Sequence, residues 1–156
     1  MKSVQTRFML STFLKYFSGA VIFLFLSAKS FSQETLTVIG NSKGSPAELK
    51  MGQLQSILKG EKQRWGDGTK VTIALMKTNT PVGNVTSRKV FNMSGDQLNK
   101  YWLALVFQGK ADAPNFFNSP SELETYVTQT PGAIGIIGQA PTIAQKTIIV
   151  DGKKFL

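Results

Sequence analysis

Four short apolar runs rich in β-branched residues divide this chain: Thr35–Ile39, Lys70–Met76, Ala133–Ile137 and Thr147–Val150. Each is four to seven residues long and bounded by Gly, Asn, Asp or Thr, so each reads as a strand rather than a piece of buried helix. Ala133–Ile137 is apolar throughout, as expected for a strand covered on both faces. The segments between the runs carry helix-start signals. Strands alternating with capped helices imply one α/β sandwich lobe, with a mixed or mostly parallel sheet flanked by helices.

The helix signals differ in quality. Ser94-Gly95-Asp96-Gln97 forms a capping box, and Leu98, Tyr101, Trp102, Leu105 and Val106 follow at helical spacing up to the stop at Gly109. Ser119-Pro120-Ser121-Glu122 opens another helix, which carries Leu123, Tyr126 and Val127. Ser45-Pro46-Ala47-Glu48 has the same form, although Gly52 weakens the stretch and allows a later start near Met51; Leu54, Ile57 and Leu58 share a face, and Gly60 ends it. Thr78 to Val85, broken by Pro81 and Gly83, reads as a loop, with a helix from about Thr86 to Phe91. Trp65-Gly66-Asp67-Gly68 and Asp151-Gly152 read as turns.

Residues 1–32 have the form of a secretion signal: Lys2, Arg7 and Lys15 lead an apolar run, no acid precedes Glu34, and Ser30 and Ser32 suit cleavage before Gln33. The expected organisation is a leader at 1–32 and one domain at 33–156, exported to the periplasm or beyond. Without cysteine there is no disulfide and no lipid-anchored lipoprotein. Of 18 basic residues the leader holds Lys2, Arg7, Lys15 and Lys29, so 14 remain against nine acids, a net charge of +5. The lysines are scattered and not interleaved with aromatics, which argues against a nucleic-acid partner and supports only a mild preference for anions.

The chain has no histidine. With cysteine also missing, the common general base, the thiolate nucleophile and most zinc sites are excluded. Glu48 and Glu122 are explained by capping, and no phosphate-loop or dinucleotide fingerprint occurs. The reading is therefore a binding protein without cofactor or metal, not an enzyme. Helix N-termini attract oxyanions through free N–H groups and the helix dipole. Two hydroxyl-rich stretches stand where helices are expected to begin: Ser42 and Ser45 in one, and Thr86, Ser87 and Arg88 in the other. Arg88 adds a fork for bidentate contact. The alternative is that Thr86 and Ser87 only cap a helix while Arg88 lies on the surface.

One ordered series of landmarks goes further. Leu58-Lys59-Gly60, Trp65-Gly66-Asp67-Gly68, Phe91, Tyr101-Trp102, Phe107-Gln108-Gly109 and Pro131-Gly132-Ala133-Ile134-Gly135 resemble, in order and spacing, the second lobe of phosphate-binding proteins that feed bacterial ABC transporters. The chain also resembles the short, single-lobe members of that group. The resemblance implies a type II periplasmic solute-binding fold, phosphate or a similar oxyanion as ligand, and an ABC transporter or another envelope protein as partner. In the larger relatives an Arg-x-Asp-x-Ser-Gly-Thr element grips phosphate. Laid on Phe91, its last three positions fall on Val85, Thr86 and Ser87, and its Arg and Asp on Pro81 and Gly83. A chain with room for one lobe binds weakly, or needs a second copy or a partner to complete the site. The alternative function is a ligand-free protein–protein interaction module of the envelope built on the same lobe.

Overall fold

The computed structural model describes residues 35–143 and 146–156. The expected leader and its cleavage point lie outside the described residues. In chain order the elements are β1 (Thr37–Gly40), β2 (Glu48–Leu49), α1 (Met51–Leu58), β3 (Thr72–Met76), α2 (Pro81–Lys89), α3 (Gly95–Phe107), β4 (Asn115–Phe117), α4 (Pro120–Gln129), β5 (Ala133–Ile137) and β6 (Lys146–Val150). The six strands form one sheet in the order β2-β6-β1-β5-β3-β4. β3 runs parallel to both β4 and β5, and β2 parallel to β6, whereas β1 is antiparallel to β5 and β6. The sheet is mixed, as the alternation of strands and helices implied.

Strand periodicity sorts the core into two layers. Leu36, Val38, Ile73, Leu75, Ile134, Ile136, Ile148 and Val150 face one side and pack with Leu54, Ile57 and Leu58 of α1 and Leu98 and Trp102 of α3. Ile39, Ala74, Met76, Ala133 and Ile137 face the other and meet Leu123 and Val127 of α4. Gly135 lets α4 come close, since a Cβ there would stand 2.7 Å from the Leu123 side chain. Covering on both faces explains why Ala133–Ile137 is apolar without alternation.

The landmarks meet one another in space. The Tyr101 hydroxyl donates to the Lys59 carbonyl at 2.8 Å, and Tyr101 stands edge-on to Trp102 with ring centroids 5.7 Å apart. Burial, with Glu61 nearby as the smaller cause, raises the pKa of that hydroxyl above its ordinary value. The Trp65 indole N–H donates to the Gly132 carbonyl at 2.8 Å. The Trp65 turn is closed by Asp67, whose carboxylate accepts the Thr69 amide at 2.9 Å; that hydrogen bond, first among its causes, lowers the Asp67 pKa.

Several expectations need correction. No helix starts at Ser45: Glu48 and Leu49 pair with Ile149 and Val150 as β2, and α1 starts at Met51 behind Lys50, with Gln53 closing the cap. β4 had no signal beyond Phe116-Phe117, because three residues behind Pro114 are too few to show a period. On α3, Leu98 and Trp102 are buried as expected, but Val106 is exposed and Phe107 is 83% exposed, so this end of the helix is surface and not core. The Ser94–Gln97 capping box is present, with both reciprocal hydrogen bonds.

Candidate functional site

The largest correction concerns α2. It starts at Pro81, not near Thr86, because Thr80 caps it by accepting the Gly83 amide at 3.1 Å and Pro81 supplies a preset φ at the first helical position. Pro81 and Gly83, read as breakers of a loop, are the first turn of the helix. Gly83 is required there, since a Cβ would stand 2.0 Å from the Lys77 carbonyl oxygen. The same carbonyl accepts from the Thr80 hydroxyl at 2.7 Å and from the Thr80 amide at 2.9 Å, which ties residues 77–83 into a compact turn.

Thr86, Ser87 and Arg88 consequently lie in the C-terminal half of α2, away from its free N–H groups. Thr86 is buried and its hydroxyl has no partner among the described residues. Ser87 is buried and its hydroxyl donates to the Asn84 carbonyl at 2.8 Å, while Arg88 is exposed. Where a helix ends, the dipole favours cations, so this turn does not attract an anion by helix geometry.

Ser42 and Ser45 sit elsewhere. They follow β1, which is antiparallel to β5, so they stand at the edge where β5 begins; the Asn41 amide donates to the Ala133 carbonyl there. α2 starts at the other edge, beyond the C-terminal end of β3. A five-residue strand separates the two by about 13–16 Å. The structure does not bring the two sets of residues together. Ser42 is exposed in a turn. Ser45 is buried: its hydroxyl donates to the Asn41 carbonyl, and its own carbonyl accepts Lys146 Nζ at 2.6 Å. Both of these contacts close the loop after β1.

The edge that matters chemically is where the parallel strands β4, β3 and β5 end. In open α/β sheets, ligand sites gather beyond the carboxyl ends of strands. Here α2 begins, capped by Thr80, and α4 begins, capped by Ser119, whose hydroxyl accepts the Glu122 amide at 3.3 Å. The exposed Lys77 and Asn79 lie in the turn ahead of α2. The segment leaving β5 closes over the same place: a Cβ on Gly138 would come within 2.5 Å of the Val82 side chain. The edge therefore offers two positive helix ends and a lysine. A cavity of about 180 Å³ bordered by Lys62, Gln63, Asn115 and the Lys70–Asp112 ion pair lies at the start of β3 and β4, the opposite edge. Among the described residues no group of three or more acidic, histidine or cysteine side chains is placed to hold a metal.

With that geometry established, solved structures supply the comparison. The chain superposes on PstS from Borrelia burgdorferi with a TM-score of 0.58 and 17% identity, covering 76% of this chain and 48% of that one. It superposes on an ABC-type phosphate transport receptor from Vibrio cholerae with a TM-score of 0.57 and 18% identity, covering 77% and 47%. The phosphate binding protein from Stenotrophomonas maltophilia gives 0.54 and 14%, covering 76% and 39%. The chain has the fold of one lobe of a phosphate-binding protein. It spans less than half the length of these structures, and identities this low speak to the fold alone. No family model matches the chain, and no curated protein matches it significantly.

Sequence reasoning missed Lys77, Thr80 and Ser119 as a group at one edge. The signal is present, since Thr80-Pro81 repeats the hydroxyl–proline pair with which Ser119-Pro120 starts α4.

Proposed function

We propose that this chain is an exported oxyanion-binding lobe, with phosphate the first ligand to test, and that it acts as a binding protein and not as an enzyme. The observation that carries this reading is the convergence of the Thr80 and Ser119 helix starts, with exposed Lys77, at the carboxyl ends of parallel strands. The likeness to phosphate-binding proteins supports it. The anion would meet the Thr80–Gly83 turn and Lys77, not Arg88. One lobe covers an anion on one side only; a second lobe, a second copy or an envelope partner would enclose it.

Calorimetric titration of inorganic phosphate and of sulfate into residues 33–156 tests the reading. Weak binding is expected, with a Kd of about 0.1–1 mM. Lys77→Ala should weaken it by about threefold to tenfold, and Arg88→Ala should leave it unchanged. Absence of heat with both anions, or a loss confined to Arg88→Ala, would sink it.

One observation favours a second reading, a protein interaction module: Leu103 and Phe107 stand 59% and 83% exposed one helical turn apart on α3. Phe107→Ser is expected to abolish any self-association or partner capture seen by light scattering and to leave the unfolding midpoint unchanged. A folded variant that associates as the parent does rules this reading out.

A further inference from the structure

The segment leaving β5 is fastened by one unusual side chain. Glu124, in the second turn of α4, is fully buried. Its Oε2 accepts three hydrogen bonds from that segment: from the Thr142 amide at 2.9 Å, the Thr142 hydroxyl at 2.7 Å and the Ile143 amide at 3.1 Å. Its Oε1 is buried with no partner among the described residues. Burying a carboxylate is costly, and a leucine would fill the position without leaving an oxygen unsatisfied. What leucine lacks is the grip of Oε2 on two amides of a segment whose own side chains, Thr142 and Ile143, are exposed. The near end of that segment, Gly138, is packed against Val82 in the first turn of α2. Residues 138–143 therefore run from the first turn of α2 to the second turn of α4, where Glu124 fastens the far end.

We propose that Glu124 is a positioning residue for anion binding: it fastens residues 138–143, whose near end lies against the first turn of α2, and so shapes one wall of the site without touching the anion. This rests on the oxyanion-binding reading above.

Hydrogen exchange and a phosphate titration on Glu124→Leu test it. The amides of Thr142 and Ile143 are expected to exchange about tenfold faster, and the Kd for inorganic phosphate to rise by about tenfold. Glu124→Gln, which keeps an acceptor oxygen, is expected to restore most of both. If Glu124→Leu does not fold, Thr142→Val serves in its place, since it changes an exposed side chain and deletes one donor to Oε2; its Kd is expected to rise about threefold. Unchanged exchange at Ile143 in a folded variant, or faster exchange with phosphate affinity intact, overturns the positioning role and leaves the anion reading standing. A parent protein that binds no phosphate overturns both.

Discussion

Gly132→Ala is expected to lower the unfolding free energy by about 2–4 kcal/mol, because it combines two penalties at one residue. Gly132 has φ +74, a conformation that an L side chain resists, and its Cβ would stand 2.1 Å from the Lys70 carbonyl oxygen. The neighbour is backbone and cannot turn aside. The residue is also a junction: its amide donates to the Lys43 carbonyl at 2.9 Å, and its carbonyl accepts the Trp65 indole at 2.8 Å and the Thr72 amide at 3.1 Å. A shift at Gly132 thus disturbs the entry to β5, the start of β3 and the Trp65 turn together. Gly68→Ala provides the control, since φ is +87 there but a Cβ would meet nothing within 4 Å. It should cost about 1 kcal/mol, the conformational part alone. Thermal unfolding followed by circular dichroism measures both, and the Gly132 variant should melt roughly 10 °C below the parent. Equal losses at the two glycines would show that the contact with Lys70 carries no weight.

The same junction explains why the landmarks were legible while the site was not. Leu58-Lys59-Gly60, Tyr101-Trp102, Trp65 and Pro131-Gly132 are tied to one another in space: Tyr101 on Lys59, Trp65 on Gly132. Such constraints act through identity at single positions and so can be read along a chain. Helix starts obey a weaker rule. The chain has four hydroxyl–proline pairs, and their outcomes differ for reasons outside the pairs themselves; Thr130-Pro131, for one, ends α4. Ser119-Pro120 starts a helix. Ser45-Pro46 does not, because the Ser45 hydroxyl is engaged by Asn41 and the residues that follow join β6 as β2. Thr80-Pro81 starts one despite Gly83, whose missing side chain is what lets the first turn approach the Lys77 carbonyl. That approach is a tertiary fact and no local pattern encodes it. Because α2 starts at Pro81 and not near Thr86, the positive end of its dipole lies beside Lys77. Glu124 was invisible for a related reason: its partners, Thr142 and Ile143, are 18 and 19 residues away.

Trp102 is the position where side-chain loss should cost most in the larger core layer. It is 3% exposed on α3, and a Cβ on Gly60 would come within 3.0 Å of its ring, so the indole fills the space between the end of α1 and the middle of α3. Trp102→Ala is expected to destabilise by about 3–5 kcal/mol, since the packed elements around it collapse only partly into the void. The more discriminating variant is Trp102→Phe. The indole N–H is buried with no hydrogen-bond partner among the described residues, so its removal breaks no bond and relieves an unsatisfied donor. Phenylalanine should therefore lose only the volume term, about 1–1.5 kcal/mol. Urea titration with far-ultraviolet circular dichroism gives both values, and Trp65, the other of the chain's two tryptophans, remains as an independent fluorescent reporter. A Trp102→Phe loss as large as that of the alanine variant would mean that the N–H is bonded after all, through a buried water, and that the layer is held by a polar contact as well as by packing.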